Sequence, residues 1–315
     1  MEFWSSTMEN MVIVAGAGGF IGQNLVKRLV EKRYSVTAIV TTRSQELSQE
    51  LKGAKYIIQN KTIEKLANEL KDDNYSCFYD LAWHATSGKL RADFNVQLDN
   101  VRMTCDYVRL AAMIKCPRFI YASSINEMET YEYLQKNNAE PSGGYIYGTG
   151  KLAAHLMGET VAYQSNVDFI PIIITNIYGA GEKSARLIYT SIVKLLKGEH
   201  CSFTEGYQMY DFIYITDAIN AIIEVAEKGI AFNRYYVGSG EPKPLREFLL
   251  KMRDIVNPDA VLGLGDIPFK GVDIDYNQFN LKNVEKDTGY KNKVSFEEGI
   301  KMTKDWIKMS TPPNC

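Results

Sequence analysis

Paired cysteines are the first thing this sequence lacks. Its five, Cys77, Cys105, Cys116, Cys201 and Cys315, form no C-x-x-C pair, and their odd number and scatter predict free thiols in a reducing compartment. Histidine is scarcer still. His84, His155 and His200 lie far apart along the chain, suggest no zinc-ligand spacing, and no metal site is expected. No apolar run approaches the roughly 18 residues of a membrane span, and the opening M-E-F-W-S-S-T-M-E-N is too polar for a secretory leader. Positive charge is not in excess either. With 36 basic against 38 acidic residues the formal net charge is −2, so there is no electrostatic footprint for nucleic acid. No internal repeat or low-complexity segment appears. These absences predict a cytoplasmic globular protein with no membrane, metal or nucleic-acid partner.

What is present is a chain of 315 residues, 45% hydrophobic, enough for a substantial core in one large domain or two unequal ones. It is organised around residues 11–22, M-V-I-V-A-G-A-G-G-F-I-G. Residues 11–15 are a short apolar run of the kind that forms a buried parallel strand. Glycines follow, and then an amphipathic stretch over 21–30 that reads as a helix. Strand, glycine turn and helix place a pyrophosphate over a helix N-terminus, where backbone N–H groups lack partners and the dipole favours negative charge. A G-x-G-x-x-G pattern begun at Gly16 and Gly18 fails at Ile21, whereas Gly16, Gly19 and Gly22 fit G-x-x-G-x-x-G. Gly16 supplies the tight turn, Gly19 the close backbone approach, and Gly22 the close packing of helix on strand.

Further strands are expected at 35–40, 55–58, 76–82, 119–122 and 170–174, with helices over 63–71, 95–113 and 145–163. Their alternation predicts an α/β fold with a doubly wound parallel sheet. Residues 1–177 are expected to form the dinucleotide-binding domain. Residues 178–315, where glycines interrupt the pattern, are expected to form mainly a smaller substrate domain with crossovers back to the sheet. The second strand ends in Thr41, Thr42 and Arg43, with no carboxylate before Glu46. An acid there suits the bare ribose of NAD; a cation with hydroxyls suits the 2′-phosphate of NADP.

Chemistry enters with Tyr147-Gly148-Thr149-Gly150-Lys151. Four residues apart at a helix start, Tyr147 and Lys151 share a face. A free tyrosine, with a pKa near 10, is too weak an acid/base at neutral pH. A neighbouring ammonium favours its phenolate, so Tyr147 can pass a proton to or from a substrate oxygen while hydride moves at carbon. Ser124, closing the strand before it, is placed to hydrogen-bond the same oxygen. Tyr145 cannot replace Tyr147, because the residue four positions on is Thr149.

The order of these elements resembles the extended short-chain dehydrogenase/reductases, in particular their nucleotide-sugar epimerase and reductase branch. The resemblance rests on G-A-G-G-F-I-G, on Asn100-Val101 to Thr104, and on Y-A-S-S at 121–124. It continues through Tyr147 with Lys151, Asn176-Ile177-Tyr178-Gly179, the D-F-I-Y-I run at 211–215 with Asp217, and Y-V-G-S-G at 236–240. It implies a catalytic triad of Ser124, Tyr147 and Lys151, with Lys151 also donating to the nicotinamide ribose. It implies a cofactor groove drawn from Gly16, Gly19, Phe20, Ile21, Gly22, Arg43, Leu81, Ala82, Trp83, Asn100, Tyr147, Lys151 and Ile174. Substrate contacts are expected from His84, Thr86, Ser124, Asn176 and Tyr210, and a homodimer is expected through the helices at 95–113 and 145–163.

Departures from the family pattern narrow the reaction. Dehydratases of this branch carry Asp-Glu after the catalytic Ser/Thr; here stand Ile125 and Asn126, with Glu127 one place out of register. Tyr210 and Ile173 occupy positions where the family has diphosphate-binding arginines, and Arg186, Lys183 or Arg246 are the candidates to compensate. The resulting expectation is NADPH-dependent reduction of a nucleotide-linked 4-keto-6-deoxy sugar at C4. The alternatives are a nucleotide-sugar 4-epimerase holding NAD tightly and a regulator that binds NADP without turnover.

Overall fold

The computed structural model describes residues 10–41, 47, 49, 51–59, 61–71, 73–137 and 140–310. Its strands are β1 Met11–Ala15, β2 Ser35–Val40, β3 Lys55–Ile58, β4 Tyr75–Asp80, β5 Arg118–Ser124, β6 Asp168–Ile174, β7 Asn176–Tyr178, β8 Cys201–Phe203, β9 Met209–Tyr210, β10 Phe212–Tyr214, β11 Tyr235–Val237, β12 Lys243–Pro244 and β13 Leu262–Leu264. The helices are α1 Phe20–Glu31, α2 Ile63–Leu70, α3 Phe94–Met113, α4 Ile125–Gln135, α5 Gly143–Gln164, α6 Leu187–Lys197, α7 Ile215–Lys228, α8 Leu245–Val256, α9 Asn283–Thr288 and α10 Phe296–Ser310.

Seven strands form one sheet in the order β11-β6-β5-β4-β1-β2-β3, and every pairing in it is parallel. The chain winds outward from β1 to β3, then returns to β4 on the other side of β1. That reversal opens a crevice beyond the carboxyl ends of β1 and β4, the place where such sheets take ligands. Alternation along β1 serves both faces, as it must in a strand. Val12 and Val14 pack with Leu25, Val26 and Leu29 of α1, while Ile13 and Ala15 pack with Val108 and Ala111 of α3. Each fully buried side chain of this size contributes about 1.5–3 kcal/mol. The glycine turn after β1 therefore sits on a strand buried on both faces.

The carboxyl-terminal part is not one separate body. β7 and β10 pair in parallel, β9 pairs with β12, and β8 with β13, beside an aromatic cluster of Tyr178, Phe212, Phe248 and Phe296. Residues after β10 then go back to the nucleotide side. Helix α7 packs on α1, with Arg28 Nε donating to Asn220 Oδ1 at 3.0 Å, and β11 adds a seventh strand beside β6. Asp211 and Asp217, in the D-F-I-Y-I segment and just beyond it, turn inward. Asp211 accepts hydrogen bonds from the Tyr236 hydroxyl, Ser239 and the Gly240 N–H. Asp217 accepts from Tyr290, Lys293 and Val294. Both tie down loops. Among the described residues no helix is long and apolar enough to cross a membrane.

Candidate active site

The groove over the glycine turn is backbone-built. Gly16 has φ +74°, and a Cβ there would lie 2.6 Å from the Leu81 carbonyl and the Ala82 nitrogen. A Cβ on Gly22 would lie 2.2 Å from the Gly16 oxygen, so α1 could not seat against the turn. Gly19 meets no protein atom closer than 3.5 Å; its lack of a side chain keeps open space above the helix. Gly19 is also the N-cap of α1, with no side-chain cap and no acidic residue in the first turn, so the first-turn N–H groups and the dipole are free for an anion. These features fit a dinucleotide pyrophosphate. A groove of about 480 Å³ runs from here past Leu81, Ala82 and Trp83 to Tyr147, Lys151 and Ile174. Phe20 and Ile21 line it as well.

Asn100 is different from the other expected cofactor residues. It is fully buried, and its carboxamide clamps the backbone of His84, accepting from His84 N at 2.8 Å and donating to His84 O at 2.9 Å. It lines neither cavity and shapes the groove by fixing the loop after β4. Arg43 lies outside the described residues.

At the inner end of the groove, β5 finishes at Ser124 and α4 starts at Ile125, a helix not anticipated between the serine strand and the tyrosine helix. The Ser124 hydroxyl caps α4 by accepting from Asn126 N at 3.3 Å, and it faces the Tyr147 phenol closely enough to pull its pKa down. Lys151, one turn along α5, is buried and donates from Nζ to the Ala122 carbonyl at 2.7 Å. The same ammonium lies 3.6 Å above the Trp83 ring centroid, while Trp83 Nε1 donates to Gln97 Oε1 at 2.8 Å. Burial pulls the Lys151 pKa well below the usual lysine range, with the charges of Asp80 and Glu127 opposing it. Asp80 is pushed upward by burial, against the Lys151 charge and its bonds from Thr104 and Ala82.

Tyr147 departs from expectation in what surrounds it. Its pKa is raised above the ordinary phenol value, chiefly by burial. The groups that pull it back are the Ser124 hydroxyl and the guanidinium groups of Arg91 and Arg186. Lys151, expected to depress it, is engaged by Ala122 and Trp83. Arg91 Cζ instead lies 4.5 Å from the Tyr147 ring centroid.

A second cavity, of about 460 Å³, meets the first at Ser124 and Tyr147. Thr86, Asn176 and Tyr210 line it, as expected of substrate contacts, and Arg91, Asn126, Thr175 and Arg186 join them. His84 faces the cofactor groove and an outer pocket instead. Of the compensating cations, Arg186 lines both cavities, whereas Arg246 sits 5.2 Å over the Tyr207 ring, away from the site. Glu127 is buried between Ser123 and His155 and lines neither cavity. A dehydratase base at that position is therefore excluded by geometry as well as by register. Sequence reasoning missed Arg91 and Asn126. The only signal for Arg91 was its closeness in the chain to His84 and Thr86, both expected as substrate contacts. Among the described residues no three His, Cys, Asp or Glu side chains cluster to hold a metal.

Comparison with known proteins agrees with this geometry. The chain is 26% identical over 301 residues to CDP-abequose synthase of Salmonella typhimurium, covering 93% of this chain and 97% of that protein. In fold it matches UDP-N-acetylglucosamine 4-epimerase of Bacillus cereus with a TM-score of 0.77 at 18% identity, covering 96% of this chain and 98% of that one. UDP-glucuronic acid 4-epimerase of the same organism, solved with UDP-glucuronic acid and NAD, matches with a TM-score of 0.75 at 21% identity, covering 95% and 99%. Residues 12–238 match the NAD dependent epimerase/dehydratase family, and the chain belongs to that family, within the extended short-chain dehydrogenase/reductases.

Proposed function

We propose that this chain reduces a nucleotide-linked 4-keto-6-deoxy sugar at C4, using NADPH, with Tyr147 as the proton donor. The observation that carries the reading is likeness over nearly the whole chain to two relatives, at 26% and 22% identity, both named CDP-abequose synthase. A cytidine diphosphate sugar is therefore the first to test. The site is consistent with it: Ser124 and Tyr147 stand where the two cavities meet, and burial keeps the Tyr147 phenol above its ordinary pKa, the direction that favours the proton-donor form.

The dinucleotide, when bound, supplies the hydride. The rest falls to this chain's residues. The first turn of α1 would hold the pyrophosphate, with Gly19 leaving room for it. Ser124 would orient the carbonyl oxygen by hydrogen bonding, and Tyr147 would give that oxygen its proton. Lys151, which here donates to the Ala122 carbonyl, would be the residue to hold the nicotinamide ribose. Arg186, on the loop lining both cavities, meets phosphate charge where the family's arginines are replaced by Ile173 and Tyr210. Preference for NADP rests on Arg43 and on the missing acid after the second strand, where Thr41, Thr42 and Arg43 precede Glu46. We also propose a homodimer through α3 and α5, which expose Phe94, Leu98, Leu156, Met157 and Tyr163. Sedimentation at micromolar concentration tests this, and a 35.7 kDa species would reject it.

The test of the reaction is anaerobic incubation of purified protein with NADPH and a 4-keto-6-deoxy nucleotide sugar. One NADPH oxidised per sugar reduced is expected. Interconversion of two non-keto nucleotide sugars without net cofactor change would establish the epimerase instead.

A further inference from the structure

We propose that Arg91, clamped by Asn126 over the Tyr147 ring, is the positioning residue whose fixed charge lets this tyrosine release its proton. The role expected of the lysine in Y-x-x-x-K has passed in part to an arginine from another loop. This rests on the reading of Tyr147 as proton donor and deepens it.

Arg91 belongs to a short turn of 3₁₀ helix, Lys89–Ala92. One guanidinium nitrogen, Nη2, donates to Asn126 Oδ1 at 3.1 Å, and Asn126 Oδ1 also accepts from Ser124 Oγ at 3.2 Å. The backbone of Arg91 is held too, because Gln97 Nε2 donates to its carbonyl at 3.3 Å. Gln97 is the residue that takes the Trp83 indole N–H. Trp83, Gln97, Arg91, Asn126 and Ser124 thus run as a hydrogen-bonded arc around the Tyr147 ring, which Trp83 meets edge-on at 6.1 Å.

The glycines of Y-G-T-G-K explain how the arc closes. A Cβ on Gly148 would lie 2.4 Å from the Asn126 carbonyl oxygen, and one on Gly150 would lie 3.1 Å from Gln97 Cβ. With no side chain at either of these two positions after Tyr147, both ends of the arc press against α5. Arg91 Nε remains buried with no hydrogen-bond partner among the described residues.

Electrostatics decide between the two cations. Lys151 is desolvated, so its charge is easily lost, whereas an arginine stays protonated throughout the working range. A guanidinium over the face of a phenol attracts the ring and attracts the phenolate more strongly. The charged groups around Tyr147 are Arg91, Arg186, Lys151, Glu127 and Glu182, with Glu129 beyond Asn126. Arg91 and Arg186 favour the phenolate and Glu127 opposes it. Arg186 is half exposed and screened; Arg91 is the cation stacked on the ring. In the proposed reduction the Tyr147 O–H bond breaks, its proton goes to the substrate oxygen, and solvent later reprotonates the phenolate.

The test needs no substrate. Tyrosinate absorbance is titrated against pH in the full-length protein, with the Tyr147→Phe counterpart of each variant subtracted to isolate one ring. Arg91→Gln is expected to move the Tyr147 ionisation upward by about 1–2 pH units, the range for loss of one close opposite charge. Arg91→Lys keeps the charge and is expected to recover most of that shift. Asn126→Ala frees the guanidinium and is expected to shift the ionisation the same way but less; it keeps the test alive if Arg91→Gln does not fold. Equal shifts in Arg91→Gln and Arg91→Lys, or no shift in a folded Arg91→Gln, would overturn the proposal. With substrate, Arg91→Gln is expected to lower kcat about tenfold with KM within about twofold. A rise in KM alone would make Arg91 a substrate contact and refute the role. Failure of the protein to reduce any keto sugar would sink the proposed reaction while leaving the titration decisive.

Discussion

The two cavities that meet at Tyr147 are built by opposite means. The cofactor groove is a backbone structure, whose tight turn at Gly16, bare approach at Gly19 and helix seat at Gly22 come from 7 consecutive residues of one strand-turn-helix. The substrate cavity is a side-chain structure, with Thr86 and Arg91 from one loop, Asn126 from α4, Asn176 and Arg186 from after β6, and Tyr210 from β9. A groove made of backbone tolerates little change and accepts one kind of ligand. A cavity made of loop side chains can change its ligand by substitution without disturbing the sheet.

The strongest way to sharpen the comparison is to strike where the cavities meet. Tyr147→Phe keeps the ring and removes the proton, so turnover should fall by about 10²–10⁴. Cofactor affinity, measured by fluorescence titration, should barely change. Near-native turnover would show that the meeting point is elsewhere. Next in size is the groove itself. Gly22→Ala forces a Cβ against the Gly16 carbonyl, 2.2 Å away, and overpacking of this kind costs about 1–3 kcal/mol. Denaturant unfolding should show that loss, together with weaker cofactor binding. Normal values of both would mean that the turn is not held by close packing.

The same contrast explains what could be read from the sequence. A parallel strand buried on both faces announces itself as an apolar run, and a close approach of backbones announces itself as glycine. Residues 11–22, 35–40 and 55–58 were legible for that reason, and the doubly wound parallel class followed from the alternation of elements, though not the strand order. Asn100 was legible as important but not in its role, since nothing in sequence separates lining a groove from clamping the loop that lines it. Arg91 was not legible, because its meaning depends on a ring 56 positions later in the chain. The return of residues 215–237 to the nucleotide side was expected only as crossovers back to the sheet, without their positions. Short strands such as β7, β10 and β11 carry too few residues to show a period.

A smaller effect separates the cofactor's two ends. Arg43→Ala should weaken NADPH binding by about 1.5–3 kcal/mol, the scale of a charge-assisted hydrogen bond, and leave NADH nearly untouched. Equal losses would show that Arg43 supports structure instead. The mildest expectation concerns pH. Because burial raises the Tyr147 pKa, its donor form persists through neutral pH. The rate of reduction should stay level there and decline only as pH rises through that raised value. A decline already between pH 6 and 7 would point to a different donor, as neutral pH lies below even the unperturbed tyrosine pKa near 10.

The central claim, that this site reduces a keto sugar with Tyr147 as the proton donor, is tested most directly by stoichiometry. NADPH oxidation is followed spectroscopically in the presence of a CDP-linked 4-keto-6-deoxy sugar while the sugar product is quantified by mass spectrometry. One hydride and one solvent-derived proton gained per sugar, with activity lost in Tyr147→Phe, is the predicted result. Conversion of a non-keto nucleotide sugar to its C4 epimer with the NADPH pool unchanged would contradict it.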